Sequence, residues 1–195
     1  VPGLRHSRIK TRVTVDGSLS PKRAGWGIVI TARDQKWVSF GSFAAKSTDE
    51  IEFRAALEGL RLVTRLNLTE RGEVEIVSDS NRLILACRDS KIRLYCKADW
   101  KRLTQGEHVL TDVCLADRAE ILEFKKQTPL SFTWIRRCST ADHIKADALA
   151  RIAMGKRSDA ILQKAGLARE ELAGLVAGSV FMRPSFAQVT HHAEL

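Results

Sequence analysis

Val13 and Val15 alternate with Arg12, Thr14 and Asp16, the two-residue period of a half-buried strand. Gly17 and Ser18 close that run, and the polar stretch through Pro21, Lys22 and Arg23 reads as a turn. Residues 25–31 (GWGIVIT) and 36–43 (KWVSFGSF) are rich in aromatic and β-branched side chains. Only the short link 32–35 separates them, so they are expected to form a hairpin. Three consecutive strands then make an antiparallel meander.

The period changes after residue 46. Ser47, Thr48, Asp49 and Glu50 fit a capping box, with Ser47 capping a helix and Glu50 reaching back. Ala56, Leu60 and Val63 recur at helical spacing with Leu57 beside them, until Asn67 offers a stop. Residues 73–79 (EVEIVSD) are a fourth strand and 81–88 a short helical run. A basic, Trp-bearing stretch follows at 91–102, then a helix over 112–126 that Pro129 ends. Residues 131–136 (SFTWIR) form a fifth strand and 141–154 an Ala-rich helix. Helical crossovers between the later strands require parallel pairing there, so the expected fold is α/β, a mixed sheet with helices packed on it.

The chain divides into a basic N-terminal extension (1–10), a main domain (11–155) and a C-terminal helical extension (156–195). In the last, two short helical patterns at 158–165 and 168–177 lead to a loose tail. The spacing of Leu167, Leu172, Leu175 and Val176 suits a helix docking on the body or on a protein partner.

Charge narrows the function. At 195 residues there is room for one well-buried core, and the net charge is +9 with a pI near 9.7. A surplus of that size favours a polyanion, nucleic acid or an anionic membrane surface, against the plain alternative of a solvated basic face. No apolar run approaches the roughly 18 residues of a membrane span. The first ten residues lack the apolar stretch of a secretory signal, so an intracellular, cytoplasmic protein is expected, with nucleoid or nucleus compatible. Cys87, Cys96, Cys114 and Cys138 lack paired zinc-site spacing, and reduced thiols are expected. The absence of an initiator Met suits a trimmed chain or a fragment of a longer one.

Four acids fall where element ends converge. Asp16 is at the exit of the first strand and points opposite to Val13 and Val15. Glu52 lies in the first turns of the long helix, Asp79 ends the fourth strand, and Asp147 sits on the final helix in ADALAR. If strands one and four are neighbours, Asp16 and Asp79 lie side by side. Carboxylates gathered in one cleft repel, and a divalent cation reverses that. Hard oxygen ligands suit Mg²⁺ or Mn²⁺, and two such ions about 3.5–4 Å apart support phosphodiester hydrolysis. Taken singly, Glu52 is equally a first-turn acid favoured by the helix dipole, and Asp147 a surface charge.

The blocks VDGS (15–18), GWG (25–27), EIEFRAALEGL (50–60), VSDSNRLI (77–84) and W-x12-DALAR (134–151) occur in this order, each on its expected element. Together they resemble type 1 ribonuclease H. The resemblance implies an α/β, ribonuclease-H-like five-stranded mixed sheet, its first three strands antiparallel, with helices on both faces. It further implies an endoribonuclease that hydrolyses the RNA strand of RNA–DNA hybrids by a two-metal-ion mechanism. Asp16, Glu52, Asp79 and Asp147 would be its catalytic and metal-binding set, with two Mg²⁺ (or Mn²⁺) as cofactors.

Three departures accompany the resemblance. The loop after the fifth strand reads RRCSTAD, so Arg137 and Cys138 stand where many relatives carry a catalytic His. His143 occupies a position that is often Asn. It shares a helix face with Asp147, so it could partly replace the lost imidazole, or be a surface residue near the cap. Thr48 and Asp49 replace Asn residues that contact nucleic acid in relatives, adding negative charge. By the same resemblance Gly17 and Ser18 approach the RNA backbone and its 2′-hydroxyls, and Asn81 reaches a base edge or sugar. Lys91, Arg93, Lys97, Trp100, Lys101 and Arg102 would grip the DNA strand, the alternative being a basic helix with Trp100 in the core. Arg5, Arg8, Lys10, Arg12, Lys22 and Arg23 add to the field. The competing functions are a non-catalytic or weakly active binding module of the same fold, and a nuclease of this superfamily with another substrate.

Overall fold

The computed structural model describes residues 10–88 and 110–168, and the backbone of 181–184. Strands β1 (Thr11–Ser20), β2 (Arg23–Ala32) and β3 (Gln35–Phe43) form the antiparallel meander. Helix α1 (Thr48–Arg65) leads to β4 (Val74–Ser78), then α2 (Asn81–Arg88), α3 (Asp112–Gln127), β5 (Leu130–Trp134), α4 (Ala141–Ala153) and α5 (Asp159–Ala165). β4 pairs parallel to both β1 and β5, so the five strands lie in the order β5-β4-β1-β2-β3. The basic stretch 91–102, with Lys91, Arg93, Lys97, Trp100, Lys101 and Arg102, lies outside the described residues, as does most of the helical pattern 168–177.

Two details differ from the sequence-based expectation. β1 does not stop at Gly17. The register Gly17↔Trp26, Ser18↔Gly25, Leu19↔Ala24 and Ser20↔Arg23 carries it to a two-residue turn at Pro21 and Lys22. Cross-strand pairing here outweighs the polar composition that suggested a longer turn. In the extension, β6 (Phe181–Pro184) pairs antiparallel with β3 and covers the outer edge of the sheet, where a tail was expected. An unpaired edge leaves a row of backbone donors and acceptors open, and a short strand ending in Pro is a common way to close one.

The alternation of β2 sorts the core into two layers. Trp26, Ile28 and Ile30 face α1, together with Val13 and Val15 of β1, Phe53, Leu60 and Val63 of α1, and Ile121 of α3. Val29 of β2 and Val38 and Phe40 of β3 face the other way, against Leu149 and Ile152 of α4 and Leu162 of α5. The first part of the C-terminal extension thus packs on the body. Ser47 caps α1 by accepting from the Glu50 N–H at 3.3 Å, while the Glu50 carboxylate accepts the Lys46 N–H at 2.7 Å, one residue further back than a standard capping box.

Candidate active site

Parallel pairing of β1 with β4 brings Asp16 and Asp79 together. The ladder ends at Thr14↔Val77, and each acid stands two residues beyond its partner. An oxygen of each, with a nitrogen of His143, lies within 4.8 Å of the others. Asp16 is almost wholly buried, and its Oδ1 accepts the Gly17 N–H at 2.9 Å. The same N–H reaches Glu52 Oε1 at 3.1 Å, tying the start of α1 to the end of β1. Gly17 has no room for a side chain toward α1, since a Cβ would stand 2.8 Å from Ile51 Cγ2. Glu52 also accepts from Ser78 Oγ at 3.4 Å.

The fourth acid arrives by helix packing. Glycines at 25 and 27 leave the α4 face of β2 bare, and α4 sits directly on the strand: a Cβ on Gly27 would lie 2.1 Å from the Ala146 carbonyl oxygen. Asp147, buried, is the next residue, and Arg151 one turn on bridges its carboxylate at 3.0 Å. The pair has the i, i+4 spacing of a helix.

Burial and mutual repulsion perturb this cluster. Asp16 is pushed up to about 7, chiefly by burial, with the charges of Asp79 and Asp147 adding and that of His143 opposing. Glu52 lies well above the ordinary glutamate range, again by burial first and then by the charges of Asp16 and Asp79. Asp79 is held below its ordinary value, mainly by His143 and further by Arg137. Asp16 Oδ2 is buried without a hydrogen-bond partner. Such a set is unfavourable in the ionised state by itself, and a hard divalent cation would neutralise it. The donor chemistry fits that group.

His143 is completely buried, which rules out a surface position near the cap. Its Nε2 lies 3.6 Å from Asp79 Oδ1, and its Nδ1 accepts the Cys138 N–H at 3.2 Å. Four further residues at the cleft had no role assigned from sequence. Arg137, 67% exposed, reaches to 4.0 Å from Asp79 and 3.9 Å from Asp147, in the loop that lacks the His. Trp134, half-exposed at the end of β5, donates its indole N–H to the Asp79 carbonyl at 3.0 Å. Ser78 and Arg151 steady Glu52 and Asp147. Only the Arg151 spacing was open to detection from sequence.

Of the nucleic-acid positions, Gly17 and Ser18 are partly exposed on β1 beside the acids, and Asn81 is exposed as the first residue of α2. Asp49 is ion-paired with Arg82 of α2, so the negative charge expected there is compensated. Cys87, Cys114 and Cys138 are free thiols, and among the described residues no helix is long and apolar enough to cross a membrane.

A β5-β4-β1-β2-β3 mixed sheet with helices on both faces and acids gathered at the strand ends defines a ribonuclease-H-like fold. The RNase H family model matches residues 9–154, and the chain belongs to the RNase H family of divalent-metal-dependent ribonucleases. It is similar to the ribonuclease H of Chlorobium luteolum, 26% identical over 151 residues that cover 76% of this chain and 97% of the relative. In fold it is similar to RNase H1 from the halophilic archaeon Halobacterium salinarum, with a TM-score of 0.53 and 18% identity over 75% of this chain and 98% of that one. It is also similar to LC11-RNase H1, solved in complex with an RNA/DNA hybrid, with a TM-score of 0.52 and 19% identity over 74% and 96% of the two chains.

Proposed function

We propose that the protein is an endoribonuclease that hydrolyses the RNA strand of RNA–DNA hybrids, with Asp16, Glu52, Asp79 and Asp147 holding two divalent cations, Mg²⁺ or Mn²⁺. The observation that carries this reading is the buried, partnerless Asp16 Oδ2 in a group of four converging carboxylates. The two ions, when bound, would activate water and stabilise the leaving oxygen. The protein supplies position. Gly17 N–H orients Asp16 and Glu52 together, Ser78 fixes the second oxygen of Glu52, and Arg151 holds Asp147. Arg137 stands where a positive group can meet a scissile phosphate, which suits the transition-state charge of phosphoryl transfer. Gly17, Ser18 and Asn81 flank this cleft and suit the RNA strand, its 2′-hydroxyls distinguishing it from DNA. The basic residues of 91–102 suit the DNA strand, and the surplus of +9 favours the polyanion throughout.

The test is cleavage of an end-labelled RNA–DNA hybrid with Mg²⁺ or Mn²⁺, comparing the protein with Asp16→Asn. The expected result is metal-dependent cutting of the RNA strand, at least about 100-fold slower in the variant, the upper range for losing even a group that only supports a ligand. Tight hybrid binding with no cutting by either metal would instead identify a binding module of the same fold.

A further inference from the structure

His143 is not accounted for by the carboxylate chemistry, although its ring is fully buried at the cleft. Distance alone makes it a candidate ligand, since it groups with Asp16 and Asp79 within 4.8 Å. Its hydrogen bonding argues otherwise. Nδ1 accepts the Cys138 backbone N–H at 3.2 Å, so in the neutral ring the single proton resides on Nε2. Nε2 is buried, has no hydrogen-bond partner within normal length, and lies 3.6 Å from Asp79 Oδ1. A nitrogen that carries a proton has no lone pair to give a metal. The opposite tautomer would set Nδ1–H against the Cys138 N–H, donor against donor.

The other end of the interaction is a strained loop. Cys138 has φ +53, a left-handed conformation that strains a non-glycine residue. The turn closes through Ser139 N–H to the Arg136 carbonyl at 3.0 Å, and the side chain of His143 anchors it from below. The next residue back is Arg137, whose guanidinium lies between Asp79 and Asp147.

We propose that His143 is a positioning residue, held as the Nε2–H tautomer, that orients Asp79 and locks the β5–α4 loop so that Arg137 faces the cleft. It is a hydrogen-bond donor beside the metal-binding acids and not one of the ligands. The proposal rests on the ribonuclease reading only for its kinetic consequence.

The first test reads the ring in the unaltered protein. Long-range ¹H–¹⁵N NMR of the histidine-labelled protein, recorded above the titration of the ring, is expected to show Nε2 protonated and Nδ1 unprotonated, before and after saturation with Mg²⁺. The resonance is assigned from its loss in His143→Asn. A ring protonated on Nδ1, or loss of the Nε2 proton when Mg²⁺ is added, overturns the proposal. The second test is kinetic. Asn keeps an acceptor for Cys138 at the Nδ1 position but is too short to place a donor where Nε2 stands, so His143→Asn should lose less kcat than His143→Leu. His143→Leu offers neither and should lose about 10–100-fold in kcat with little change in KM, the range for residues that hold a metal ligand in place. Adding Arg137→Ala to His143→Leu should then cost almost nothing more. Full kcat in His143→Leu, or additive losses in the double variant, overturns the proposal. If the unaltered protein cuts no hybrid, the ribonuclease reading fails while the NMR result still decides the role of His143.

Discussion

Gly27 stands directly opposite Asp16 across the β1–β2 ladder, and both face α4. The pairing makes one position serve two ends. The strand that carries the acid is neighboured by a residue with no side chain, and the helix descends into that space until Ala146 meets the strand backbone. Asp147 and His143 reach the cleft for that reason.

Gly27→Ala therefore tests placement of α4 and not backbone freedom. The new Cβ would meet the Ala146 carbonyl oxygen at 2.1 Å, the Ala150 nitrogen at 2.7 Å and Leu149 Cβ at 2.8 Å. Helix backbone cannot rotate away as a side chain can, so α4 has to lift. The expected cost is about 3 kcal/mol, at the upper end for overpacking, read from urea unfolding. Cleavage should fall even where the variant is fully folded, because Asp147 moves with the helix. Stability and activity both unchanged would show that the helix does not rest on this strand.

The raised carboxyls give a pH signature of stability. Asp16 is near 7 in the folded protein against 3.8 as a free group, and Glu52 shifts in the same direction. Between those pH values the folded chain holds protons that the unfolded chain has released, so without divalent ions stability should fall as pH rises from about 4 to about 7. His143 adds in the same sense: burial opposes its charge, but Asp79 and the neighbouring acids together raise it, and that contribution is lost as pH rises through its folded value. Asp79 is depressed and acts in the other sense, but only below its ordinary value of 3.8. Mg²⁺ binds the ionised set, so its stabilising shift in Tm should be larger at pH 8 than at pH 5. An equal shift at both pH values, or none, would mean that the cluster does not take up the ion. Asp16→Asn should flatten the pH dependence without metal.

The fold was legible from sequence where periodicity is strong. Alternation in β1 to β3 and the helical spacing of Ala56, Leu60 and Val63 were enough for the meander and the long helix, and parallel pairing of the later strands followed from the crossovers, while the β1–β4 adjacency stayed a condition that the structure meets. Adjacency of Asp16 and Asp79 then follows from register alone. The burial of His143 was not legible. Helix α4 is rich in alanine on all sides, so no apolar stripe marks which face lies on the sheet. The Asp49–Arg82 pair joins two helices through tertiary packing, which local patterns do not carry. β6 is four residues long and gains its place only by pairing with β3.

Arg137 makes a separate prediction. Its side chain is 67% exposed and touches Asp79 and Asp147 only at the limit of an ion pair, so it should contribute little to folding. Its position over the acids suits charge developing on a phosphate. Arg137→Ala should keep its Tm within about 2 °C, as expected for an exposed pair worth a fraction of a kcal/mol, and lose about 10-fold or more in kcat. Arg137→Lys should recover part of the loss, since charge returns without the planar fork. A variant as active as the parent would leave the loop without a chemical role.

Asp49 lies beside the cleft entrance at the start of α1, and an acid there should repel a polyanion. Its ion pair with Arg82 removes most of that penalty, because the two charges cancel over distances longer than their separation. Asp49→Asn should lower hybrid KM by no more than about 2-fold, since it leaves Arg82 as a lone, uncompensated cation. Arg82→Ala strips the compensation and should raise KM by about 3–5-fold at low salt, a loss that fades as ionic strength rises and the Debye length shrinks toward about 3 Å at 1 M. The double variant should return close to the parent. Steady-state cleavage of a short hybrid at two salt concentrations measures all three. A loss in Arg82→Ala that persists at high salt, and in the double variant, would mean that Arg82 contacts the nucleic acid directly and that neutralising Asp49 is incidental.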